Sequence, residues 1–116
     1  MLWRDVHNRA MQRIVWVGTS KQDLMAFPAS ARRNAGYQLD KVQHGLTPDD
    51  WKPMPTVGAG TREIRIRDRT GAFRVLYVVI AADALYVLHA FQKKTQKTDL
   101  PDIRLAQQRF KQTRPS

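Results

Sequence analysis

The sequence predicts an α+β fold. The expected order is β-α-α-β-β-β-α, giving a mixed, mainly antiparallel sheet of about four strands with a helical hairpin on one face. Three patterns predict it. Apolar residues recur at helical spacing through 28–44, apolar and charged residues alternate along 62–68, and the runs 73–80 and 85–91 are apolar at nearly every position. Alternation marks a strand with one buried face, and a continuous apolar run marks a strand covered on both.

The elements follow in order. Residues 1–10 read as an N-terminal extension of different composition, expected to be dispensable, and 11–116 as a single domain. Met11 is followed by Gln12-Arg13 and then Ile14-Val15-Trp16-Val17, a β-branched and aromatic first strand. Gly18-Thr19-Ser20 ends it, Thr19 or Ser20 suits a helix N-cap, and Asp23 favours the positive end of a short helix reaching about Phe27. Pro28 fits the first turn of a second helix. Its apolar stripe is Ala31, Ala35, Leu39 and Val42, and Gly45 closes it. Gly36 costs this helix about 1 kcal/mol relative to alanine, which suggests close packing there. Residues 45–61 hold three prolines and two glycines beyond Gly45 and read as a long irregular connection, with Trp51 and Met54 pinning it to the core. Ile64 and Ile66 face one way, Glu63, Arg65 and Arg67 the other. Arg69-Thr70-Gly71-Ala72 makes a hairpin turn into 73–80, and Ala81-Ala82-Asp83 another into 85–91. Pro101 opens a last helix with Ile103, Ala106 and Phe110 on one face.

Charge is the strongest bulk signal. Among 116 residues, 20 Lys and Arg stand against 10 Asp and Glu, a net charge of +10. A small domain this basic favours polyanions, because each neutralised phosphate releases counterions. The competing reading is a merely soluble cationic surface. No apolar run reaches the ~18 residues a membrane span needs, and the N-terminus does not read as a secretory signal. Cysteine is absent, which excludes disulfides and cysteine-ligated zinc and suits a reducing cytoplasm.

Nucleotide-binding glycine loops and His-Glu-x-x-His are missing, and the three histidines lack metal-ligand spacing. What remains is a basic constellation on the β half: Arg62, Arg65, Arg67, Arg74, His89, Lys93, Lys94 and Lys97. Such a set suits metal-free RNA cleavage, in which the 2′-hydroxyl attacks the adjacent phosphate. Histidine titrates near neutral pH and suits proton transfer, and the arginine fork matches phosphate oxygens. Each residue also has a plain reading. His89 alternates inside an apolar strand as a packed residue would, Arg65 and Arg67 fit a solvated strand face, and Lys93 to Lys97 fit a solvated loop.

The segments Trp51 to Gly58, Arg62 to Arg67, Gly71 to Tyr77 and, most specifically, Val87 to Thr98 resemble the phage-derived Gp49-like branch of the RelE/ParE toxin superfamily, which includes HigB-like toxins. The resemblance covers about residues 13–112. It implies a RelE-like fold and the toxin of a type II toxin–antitoxin system, a ribosome-dependent mRNA endonuclease (mRNA interferase) that inhibits translation. It implies no metal and no cofactor. The implied partners are the ribosome, mRNA and a cognate antitoxin, usually a helix-turn-helix protein. Carried onto this chain, the family's basic site is Arg62, Arg65, Arg74, His89, Lys93 and Lys94. Taken with the basic constellation, the expectation is catalysis by Arg62, Arg65, Arg74 and His89, with Arg67, Lys93, Lys94 and Lys97 contacting RNA or ribosome. Two alternatives fit the same residues: a ParE-like gyrase-inhibiting toxin, and a non-enzymatic nucleic-acid-binding module.

Overall fold

The computed structural model describes residues 11–81 and 83–113. The expectations for residues 1–10 lie outside them. Among the described residues, five strands and three helices follow in the order β1 (Arg13–Trp16), α1 (Ser20–Met25), α2 (Ala29–Gln43), β2 (Trp51–Pro53), β3 (Arg62–Asp68), β4 (Gly71–Val79), β5 (Ala84–Lys93) and α3 (Leu100–Gln112). The strands form one sheet in the order β1-β5-β4-β3-β2. β1 runs parallel to β5, and every other pairing is antiparallel.

The α+β class and mixed sheet match the expectation, but the sheet has five strands rather than about four. The additional strand, β2, lies inside the segment read as irregular. Three prolines and three glycines masked it, and Pro53 is tolerated because β2 is an edge, where a missing N–H breaks no inner ladder.

Alternation sorts the side chains onto two faces. On one, α1 and α2 cover Ile64, Ile66, Phe73, Val75, Tyr77, Leu85 and Val87, with Phe27 against Phe73 at 4.8 Å between ring centroids. On the other, α3 and the 54–57 segment cover Leu76, Val78 and Leu88 through Ala106, Phe110, Met54 and Val57. Helices therefore lie on both faces, and β4 is buried on both sides at the centre of the sheet, as its apolar run predicts.

The β4–β5 ladder shifts register between Leu76 and Tyr77: Leu76 pairs with His89, but Tyr77 pairs with Val87. Leu88 is the bulged residue, and its carbonyl accepts from the buried Arg109 at 2.9 Å. Arg109 also donates to Thr19 Oγ1 at 2.9 Å, so one α3 side chain satisfies the bulge and fixes the start of α1. No helix among the described residues is long and apolar enough to cross a membrane.

Two glycines of opposite circumstance test this packing. Gly36 is not closely packed, contrary to its sequence reading: a Cβ there would meet nothing within 4 Å. A Cβ on Gly58 would lie 2.5 Å from the Phe110 ring. Gly36→Ala should raise stability by about 1 kcal/mol, and Gly58→Ala should lower it by about 1–3 kcal/mol. Urea unfolding checks both, and shifts of the same sign would contradict this packing.

Candidate functional site

The odd-numbered positions of β3 and even-numbered positions of β4 share the face that carries α3. Near the β3–β4 turn this face has no helix over it. Arg65 and Arg74 are direct cross-strand partners there, and Arg67 pairs with Ala72 one step nearer the turn. Like charges placed opposite one another destabilise a ladder, so this arrangement suits an anion better than it suits the fold. The three arginines and Asp50 line an open cleft of about 350 Å³. Arg65 Nε and Arg74 Nε make no hydrogen bond among the described residues. Asp50 Oδ1 stands 3.8 Å from Arg65 Nη1, too far for more than Coulombic attraction.

Glu63 organises the floor of this face. Its side chain is completely buried, and Oε1 lies 3.5 Å from Arg74 Nε and 3.9 Å from Lys52 Nζ. Oε2 accepts from Thr98 Oγ1 at 3.0 Å, which ties the basic loop after β5 to the sheet. Arg74 is itself buried and donates through Nη1 to its own strand, at the Phe73 carbonyl, 3.0 Å away. Burial pulls the Arg74 guanidinium below the usual arginine range; Glu63 opposes that pull, and Arg65 and Arg67 add to it. Arginine's ordinary value is so high that the group stays charged.

Lys93 pairs with Ala72 and so shares the face of Arg74, beside which Phe91 lies as cross-strand partner. Partial burial, then Arg74, lowers the Lys93 ammonium from the ordinary lysine value, with Lys52 and Arg65 acting in the same sense and Glu63 against. Lys94 and Lys97 stand with Lys93 around a small recess of about 70 Å³ that also contains Asp99 and Asp102.

Two predicted residues lie elsewhere. Arg62 pairs with Tyr77, on the opposite face from Arg65 and Arg74, and stacks over the Trp51 ring at 4.2 Å. The expected convergence of all four residues therefore fails for Arg62. An even position shares the face of Ile64 and Ile66, a parity already visible in the sequence. His89 shares the face of Arg74 but is buried. Its Nε2 is bonded to Asp102 Oδ1 of α3 at 2.7 Å, and its ring stacks on Phe91 at 4.7 Å. It does not line the arginine cleft.

Residues 22–111 match the model of a family described as phage-derived protein Gp49-like (DUF891). The chain belongs to this family. It is part of the RelE/HigB-like toxin superfamily and is associated with toxin–antitoxin toxins of the RelE type, which implies an antitoxin partner. No curated protein matched the chain.

In this Gp49-like chain sequence reasoning missed Asp50 and, above all, Glu63, which it placed only on the same side of its strand as Arg65 and Arg67. A signal was available: Glu63 pairs with Leu76, and a neighbour buried on both sides implies cover over Glu63 too. Removing one partner from a buried ion pair typically costs about 3–5 kcal/mol. Glu63→Gln should lower stability by an amount of that order in urea unfolding, and adding Arg74→Met should recover part of the loss. Near-neutral behaviour of Glu63→Gln would show that the buried carboxylate does not anchor Arg74.

Proposed function

We propose that this chain is the toxin of a type II toxin–antitoxin system and cleaves mRNA on the ribosome. One observation carries the reading: the cross-strand pair Arg65 and Arg74, with Arg67, lines a cleft of about 350 Å³ with three guanidinium groups. Family membership supports the toxin half of the statement.

In the proposed reaction the 2′-hydroxyl attacks the adjacent phosphorus and the 5′-oxygen leaves, giving a cyclic phosphate. Arg65 and Arg74 hold the non-bridging oxygens as charge develops on the phosphorane, where fixed donors act most strongly. Asp50, the carboxylate lining the cleft, accepts the 2′-hydroxyl proton. Lys93, whose ammonium gives up its proton more readily than an ordinary lysine, donates to the 5′-oxygen. Arg67, Lys94 and Lys97 contact RNA or ribosomal phosphates. His89 is assigned a positioning role, holding Phe91 and α3, in place of the proton transfer expected from its residue type.

Single-turnover cleavage on programmed ribosomes, with thermal melting of each variant, tests the assignment. Arg65→Ala and Arg74→Ala should each lower the rate by about 10²–10³. His89→Gln should lower the melting temperature and leave the rate of the folded protein within a few-fold of the parent. Full activity from a folded Arg65, Arg74 double variant would remove the cleft from consideration. DNA breaks linked to gyrase, without ribosome-phased cuts, would replace the proposal with gyrase poisoning.

The Lys93 assignment has a pH signature. Its proton is required for donation, and its value in the folded protein lies below the ordinary 10.5. Activity should therefore fall as pH rises through a value lower than that of a free lysine. Lys93→Arg should shift this alkaline limb upward. An unmoved limb would exclude Lys93 as the donor.

A further inference from the structure

α2 ends before the sheet does. Its last carbonyls are already taken, since His44, Gly45 and Leu46 donate their N–H groups to Asp40, Val42 and Lys41. Beyond this capped end no described helix covers this face of the sheet, and a cleft of about 370 Å³ remains. Val42, Leu46 and Val79 form its apolar wall, with Leu46 58% and Val79 41% exposed. Arg62, Tyr77 and Gln12 form its polar part. Tyr77 is 1% exposed, and its hydroxyl makes no hydrogen bond of good geometry although it lies beside Arg62. Arg62 can only donate to this oxygen, so the phenolic proton is left unused and a ligand that supplies an acceptor is favoured here. Among the described residues no carboxylate lines the cleft, and the Arg62 guanidinium stacks on Trp51.

We propose that this cleft, on the opposite face of the sheet from the arginine cleft, binds a segment of a partner protein that presents a carboxylate beside a branched apolar side chain. The carboxylate takes the Arg62 fork and accepts from the Tyr77 hydroxyl. The apolar side chain covers Leu46 and Val79. Charge complementarity selects a peptide of this kind, because a chain of net charge +10 attracts acidic partners. The apolar wall favours it over RNA, since among the described residues the cleft has a single cation, and its one aromatic ring, Tyr77, is buried, so it offers neither a stacking platform nor a phosphate track. Burial raises the Tyr77 phenol above its ordinary value, so it remains a neutral donor at physiological pH. Occupation of this cleft would leave Arg65, Arg67 and Arg74 uncovered, making it a docking point distinct from the proposed reaction site.

The test uses the full chain labelled with ¹⁵N and two peptides, acetyl-Glu-Leu-Leu-Glu-amide and its Gln-Leu-Leu-Gln counterpart, followed by amide shifts. The Glu peptide should move amides at 42–46, 60–62 and 77–79. Replacing Glu by Gln in the peptide should weaken binding about tenfold or more, the usual worth of a hydrogen bond to a charged group. Arg62→Gln should reduce affinity for the Glu peptide to that of the Gln peptide. Tyr77→Phe, which removes one oxygen and preserves packing, should also weaken the Glu peptide, and it decides the matter if Arg62→Gln does not fold. Equal affinity for both peptides, no shifts at millimolar peptide, or shifts confined to Arg65 and Arg74 would overturn the proposal. So would an octauridylate RNA that moves the 42–46 and 77–79 amides as strongly. None of these readouts depends on RNA cleavage, so failure here and failure of the proposed nuclease are separable.

Discussion

The burial of one carboxylate underlies the rest of the structure. Glu63 has no contact with solvent, yet it sits among Arg74, Lys52 and Thr98. An isolated charge in that position would be prohibitively costly, and an isolated Arg74 beside it equally so. Together they keep a buried guanidinium at the centre of the sheet, next to a second guanidinium on Arg65. The arrangement costs stability at the ladder, where cation faces cation, and offsets part of that cost from beneath. It presents a positive surface that needs little reorganisation when an anion arrives, which is the property electrostatic catalysis requires.

The two faces of the sheet are put to different uses because the helices cover them unequally. α2 seals one face as far as Tyr77, and α3 seals the other from Leu76 onward. Each leaves one end open, and the open ends lie on opposite sides. One carries Arg65, Arg67 and Arg74; the other carries Arg62, Leu46 and Val79. The bulge at Leu88 contributes to this division. By inserting one residue it keeps both His89 and Leu88 on the α3 side, and Arg109 takes up the carbonyl that the bulge releases. His89 thereby meets Asp102 of α3 instead of the cleft.

Much of this was legible in the sequence where the signal is local. Period-two alternation located β3 and its two faces, and the doubly apolar run located β4 at the centre of the sheet. Helical spacing gave the buried stripe Ala31, Ala35, Leu39 and Val42. What escaped was set by distant contacts. β2 exists because Trp51 to Pro53 find an edge on β3, and local composition argued against a strand. Glu63 is buried because Thr98, thirty-five positions away, closes over it. His89 is withdrawn by Asp102, which the strand pattern cannot foresee. Arg62 is a different case. Its position in the alternation already placed it with Ile64 and Ile66, and membership in a basic cluster outweighed a period that was the better guide.

The central claim is that phosphate is received by the arginines on the Glu63 side of the sheet. Arginine-selective ¹⁵N NMR during titration with a short 2′-O-methyl RNA, which binds but lacks the attacking hydroxyl, tests it most directly. The account predicts that the Nε–H signals of Arg65 and Arg74 move together and lose their shifts as salt rises, while Arg62 stays in place on Trp51. Movement of Arg62 with Arg65 and Arg74 unperturbed would contradict it.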